Sequence, residues 1–117
     1  MFVFHDRVKA DACEPGVSRK VLTYTDEMML CEISFEAGVD GKLHAHPHLQ
    51  MTYVVEGKFE FTVGDETQIV EKGDSLAMLP NEPHKVRSLT KGILIDLFTP
   101  KRDDFLPAEF VDGVKRN

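Results

Sequence analysis

The sequence predicts an all-β domain closed into a sandwich or small barrel. Short β-prone runs alternate with turn residues, one run alternates strictly between apolar and polar, and no long stretch carries a 3.6-residue period. In chain order the strand candidates are residues 21–24, 28–35, 50–56, 58–63, 67–70, 75–79, 85–89 and 93–98. The fourth is the clearest, because Phe59, Phe61 and Val63 alternate with Lys58, Glu60 and Thr62, the period-2 signature of a strand with one buried face. Gly57, Gly64-Asp65, Lys72-Gly73-Asp74 and Lys91-Gly92 supply the turns between runs. Barrel closure is the natural end of such a pattern, since it removes exposed strand edges and leaves a mouth for a ligand. Residues 1–117 are expected to form one domain, with 100–117 a C-terminal tail packing over the barrel as a short turn or helix.

Composition narrows the function. The chain of 117 residues is 42% apolar and 29% charged, ordinary for a soluble globular domain, and no apolar run nears the roughly 20 residues of a membrane span. A net charge of -6 with scattered basic residues argues against nucleic acid. Charge at Asp6 and Arg7 interrupts the N-terminus before a signal-like apolar stretch can build. Cys13 and Cys31 have no C-x-x-C spacing and read as structural thiols of a reducing compartment. A cytoplasmic location is the expectation.

The chemistry-bearing residues are histidines. His44-Ala45-His46 puts two imidazoles on one face of an extended segment, where they can grip one ion. Barrel closure can bring His84 to them. His48 is set aside because Pro47 interrupts the alternation, and His5 reads as a solvated surface residue. Arg19 and Arg87 could each point a cation into the barrel but read more readily as surface residues, and Tyr53 reads as either core or mouth.

The framing of Gly38, His44, His46, Gln50 and Gly57, followed by Gly73-Asp74 and His84, resembles the two motifs of the cupin family. The resemblance implies a double-stranded β-helix, or jelly-roll barrel, holding one divalent metal ion on His44, His46, Gln50 and His84. Two positions depart from the commoner pattern: Gln50 stands where a glutamate is usual, and Ser88 where an asparagine is often found. Four neutral ligands leave the ion its full double positive charge, which favours an anionic substrate. Nickel, zinc, iron, manganese and copper all accept such ligands.

Within that family the chain resembles the KdgF-type cupins of pectin and alginate degradation. The likeness is carried by Gly16-Val17-Ser18-Arg19-Lys20-Val21-Leu22, by His44 to Gln50, by Gly57-Lys58-Phe59-Glu60-Phe61, and by the run from Asp96 to Leu106. It implies an enzyme that converts 4,5-unsaturated uronate monosaccharides to a linear 4-deoxy-5-keto uronate. It also implies catalytic roles for Asp96, Phe98 and Arg102, which match an Asp-x-Phe-x-x-x-Arg run. In that chemistry Asp96 moves a proton, Arg102 offers a two-donor fork to the substrate carboxylate, and Phe98 walls the sugar ring. The plainer readings are an Asp96–Arg102 surface salt bridge and a core Phe98. A metal-dependent dioxygenase and a non-enzymatic sugar-acid-binding module stand as alternatives. The expected partners are a small anionic sugar and a second copy of the chain in a homodimer.

Overall fold

A computed structural model describes residues 1–107, so the remainder of the expected tail, 108–117, lies outside the described residues. Nine strands form there: β1 (Asp11–Glu14), β2 (Val17–Tyr24), β3 (Met29–Phe35), β4 (Leu49–Glu56), β5 (Lys58–Val63), β6 (Glu66–Glu71), β7 (Ser75–Met78), β8 (His84–Ser88) and β9 (Gly92–Thr99). They make a six-stranded antiparallel sheet in the order β1-β2-β3-β9-β4-β7 and a three-stranded one in the order β6-β5-β8. The expected all-β jelly-roll barrel is this pair of sheets closed over one core.

Two differences from the expected strands have a physical cause. Strand β1 was not expected, because Asp-Ala-Cys-Glu has no alternation and lies exposed along its length; pairing with β2 alone makes it a strand. β2 begins earlier than expected, at Val17, because Val17, Arg19 and Val21 face inward and pair with Phe35, Ile33 and Cys31 of β3. At the β4–β5 corner Gly57 adopts φ 92°, and a Cβ there would fall 2.5 Å from the Lys91 carbonyl oxygen.

Register decides which residues meet inside. Across the large sheet, Met29, Phe98, Gln50 and Met78 form one inward row, and Cys31, Asp96, Thr52 and Leu76 the next. Ile33, Leu94 and Val54 form a third row, apolar on these three strands, with Arg19 of β2 beside Ile33 at its edge. Phe59 and Phe61 of the small sheet pack against it, with Phe59 edge-on to Phe35 at 5.2 Å between ring centroids. Tyr53 is neither core nor mouth: it faces outward from β4 with Met51 and Val55. His5 is exposed, as expected, and meets Glu32 at 2.7 Å. The described part of the tail forms a single 3₁₀ turn, Asp103–Phe105, whose Phe105 and neighbouring Leu106 pack on the core. Among the described residues no helix is long and apolar enough to cross a membrane.

Candidate metal centre and cavity

The segment between β3 and β4 runs beside β8 and touches it through two isolated bridges, Asp40 with Arg87 and His44 with His84. His44 and His84 exchange backbone hydrogen bonds of 3.0 and 2.8 Å, which sets their imidazoles edge to face with ring centroids 4.3 Å apart. His46 follows two residues on, its ring 5.0 Å from that of His84. The expected trio therefore assembles: one ring nitrogen from each of His44, His46 and His84 lies within 4.8 Å of the others.

Hydrogen bonds fix which nitrogen is offered. The Nδ1 of His44 donates to the Lys42 carbonyl at 3.0 Å, and the Nδ1 of His84 to the Glu82 carbonyl at 2.9 Å. Carbonyls only accept, so both rings carry Nδ1–H and present a lone pair at Nε2, the outer support that metal-ligating histidines receive. His84 Nε2 is buried with no hydrogen-bond partner. Gln50, on the opposite sheet, brings its Oε1 to 3.0 Å from His46 Nε2. Two donors sharing one ion at about 2.1 Å and a right angle would stand about 3 Å apart. The four residues thus fit a divalent ion, and a bound ion would tie the two sheets together.

Charge agrees with this. Burial first, then the field of Arg102, pushes His46 down to about 4, and burial holds His84 and His48 below the usual histidine range. Near pH 7 these imidazoles are neutral, the form that ligates. His48 does not join the cluster; its ring sits 5.3 Å from that of His46 and edge-on to Phe98.

The cluster is wired to a carboxylate. Gln50 Nε2 donates to Thr52 Oγ1 at 3.1 Å, and Thr52 Oγ1 donates to Asp96 Oδ1 at 2.6 Å. The first bond turns the Gln50 oxygen toward His46. Burial raises Asp96 to about 6 against the opposing pull of Thr52, Gln50 and Arg102. Asp96 is therefore not in a surface salt bridge with Arg102: the residue is 9% exposed, and Arg102 pairs instead with Asp104 through Nε–Oδ1 at 3.0 Å and Nη2–Oδ2 at 2.8 Å. Phe98 answers to both of its readings, since it is 2% exposed in the core and also lines the cavity.

That cavity, about 240 Å³ and open at the barrel mouth, brings His44, Gln50, His84, Asp96, Phe98 and Arg102 together. It has the volume of one sugar ring rather than a chain. Two residues of the site go beyond the expected set, Arg19 in the cavity wall and Thr52 behind it. Arg19, read as a surface cation, points inward from β2 and lays its guanidinium over the Phe105 ring at 3.6 Å; its place between inward Val17 and Val21 was the signal. Thr52 stands two positions from Gln50, where alternation puts it on the same face. Arg87 is on the surface, as expected, 3.5 Å from Glu60. Both cysteines are free. Cys31 is a core thiol pushed up to about 12 by burial and the adjacent Asp96, whereas Cys13 is exposed at the rim, so a structural role fits only the first.

The sheets and their histidine-lined mouth define the class: the model of the family described as "Cupin domain" matches residues 31–98. The pectin degradation protein KdgF of Dickeya dadantii (strain 3937) is 42% identical over 93 residues, covering 78% of this chain and 84% of that protein. Among solved structures, KdgF from Halomonas sp. superposes with a TM-score of 0.87 at 32% identity, covering 91% of this chain and 98% of that one. An RmlC-like cupin from Shewanella frigidimarina NCIMB 400 gives the same TM-score at 37% identity, covering 90% and 95%. The chain belongs to the cupin family, among its KdgF-type small members.

Proposed function

We propose that this protein opens the ring of 4,5-unsaturated uronate monosaccharides, released from pectin or alginate by lyases, to give the linear 4-deoxy-5-keto uronate. The observation that carries the reading is Asp96: a buried carboxyl held near pH 6, facing the same cavity as the histidine cluster and joined to it through Thr52 and Gln50. A non-enzymatic binder of an anion gains nothing from a carboxylate there, since like charges repel.

The reaction moves one proton and exchanges no other atom with solvent. Asp96 takes the proton of the anomeric hydroxyl; the bond between the anomeric carbon and the ring oxygen breaks, leaving an aldehyde and an enolate. Asp96 then returns the proton to carbon 4, and the enolate becomes the ketone at carbon 5. A group titrating near 6 can do both. A bound divalent ion supplies Lewis acidity toward the developing enolate without changing oxidation state. Phe98 gives the ring an apolar wall, and Arg102 adds positive potential.

The test is anaerobic incubation of metal-loaded protein with lyase-generated unsaturated monomer, following the absorbance of the conjugated double bond. Fast loss over the uncatalysed background is expected, slowed about a hundredfold or more in Asp96→Asn and in chelated protein. No loss with the metal loaded overturns the isomerase; loss that requires oxygen assigns an oxygenase.

A further inference from the structure

The open end of the barrel holds two arginines in opposite electrostatic states. Arg102 is committed: two of its five donors and its charge go to Asp104. Arg19 is not. Among the described residues no carboxylate lies within ion-pairing distance of it, although Asp11 is its cross-strand neighbour on β1 and Glu14 lines the same cavity. Its Nε is buried without a hydrogen-bond partner. Its guanidinium carbon lies over the Phe105 ring, 3.6 Å from the centroid, while that of Arg102 lies over the same ring at 4.2 Å.

A charged donor taken out of water with no acceptor is unfavourable by itself, and such groups are found where a partner arrives from outside the chain. The partner must be an anion small enough for the cavity. A planar carboxylate suits best, because its two oxygens match the fork of Nε and one Nη. The face of Phe105 fixes the plane of that fork before the anion enters, so little rotamer freedom is lost on binding.

We propose that Arg19, rather than Arg102, is the principal receptor of the substrate carboxylate, with Phe105 as the residue that positions it. This rests on the uronate reading above and names the group that selects the acid over a neutral sugar. Arg102, with Nε and Nη2 taken up by Asp104, has no free fork to offer and lines the cavity as the edge of an ion pair instead.

The test separates binding from turnover. Calorimetric titration of metal-loaded protein with galacturonate, a saturated acid with no double bond to rearrange, is compared with titration by neutral galactose. Arg19→Gln should weaken galacturonate binding about tenfold or more while leaving galactose unchanged, and Arg19→Lys should recover part of the loss. In turnover of the unsaturated monomer the same Arg19→Gln change should raise KM about tenfold with kcat within about threefold. Circular dichroism and metal content establish that each variant is folded and loaded. Galacturonate binding that is unchanged in Arg19→Gln, or lost equally in Arg19→Gln and Arg102→Gln, overturns the assignment. Arg19-dependent binding in a protein that never turns over the unsaturated monomer would uphold Arg19 and sink the ring-opening reading.

Discussion

The two ends of this barrel are built by the same strands and behave as opposites. On β4 and β9, Val54 faces Leu94 toward one end, and one inward step along brings Thr52 opposite Asp96 and then Gln50 opposite Phe98. At the Val54–Leu94 end the interior is packed by Phe35, Phe59 and Ile33, and the buried Ser88 beside them is satisfied twice: its Oγ accepts from Val39 N at 2.9 Å and donates to the Glu36 carbonyl at 2.6 Å. Among the described residues, the buried polar atoms left without partners belong to His46, His48 and His84 at the other end and to Arg19, which lines the cavity from β2. One end is finished by the chain itself; the side that faces the cavity keeps buried polar atoms without a partner, Arg19 Nε and His84 Nε2 among them. Stability and function are thereby assigned to different ends of one sheet.

That division can be broken from either side. The largest expected effect is at the closed end: Phe59→Ala, at a fully buried ring, should cost about 3–5 kcal/mol by denaturant unfolding. Folded at low temperature, the variant should retain its metal; equal loss of metal and stability would show that the ends are not independent.

A smaller and opposite effect is expected at the open end. Asp96 in the folded chain holds its proton up to about 6, above its ordinary carboxyl value. Between those values the folded state binds more protons than the unfolded state, so this group lowers stability as pH rises through the window, and the penalty is complete above it. In chelated protein Asp96→Asn should therefore be more stable than wild type at pH 8 by up to about 3 kcal/mol, and nearly equal to it at pH 4. Histidine protonation is common to both proteins and cancels in the difference. Loading the metal should shrink the gap, because a nearby cation favours the ionised carboxylate. A variant less stable than wild type at pH 8 would mean that the Thr52 bond outweighs the burial.

The smallest effect belongs to neither end. Arg87→Ala removes an exposed pair with Glu60 at 3.5 Å and should change stability by less than about 0.5 kcal/mol. A larger loss in thermal unfolding would show that the outer face contributes more than its exposure implies.

Much of this was legible in the chain. Strict alternation over Lys58 to Val63 marks β5, the glycine-centred turns mark its neighbours, and His44-x-His46 marks a pair of imidazoles on one face, all of them properties of adjacent residues. Likeness to the cupin motifs added Gln50 and His84, which periodicity does not single out. Thr52 and Arg19 were readable in principle, since each alternates with residues already placed inside. Thr52 was missed because a threonine in a strand is ordinary on sequence alone, and Arg19, open to an inward reading, was read as surface because nothing local separates it from Arg87.

What the sequence determined by itself is therefore the all-β class, the order of most strands, and the residue types available to hold an ion and move a proton. What only the tertiary structure decided is their state: that Asp96 is buried rather than salt-bridged, that Arg102 is paired and Arg19 is not, and that β1 is a strand at all. Those depend on the register of strands far apart in the chain, Asp96 meeting Thr52 and Arg19 meeting Ile33. Burial and charge pairing arise from which strands become neighbours, and no local pattern of side chains encodes that.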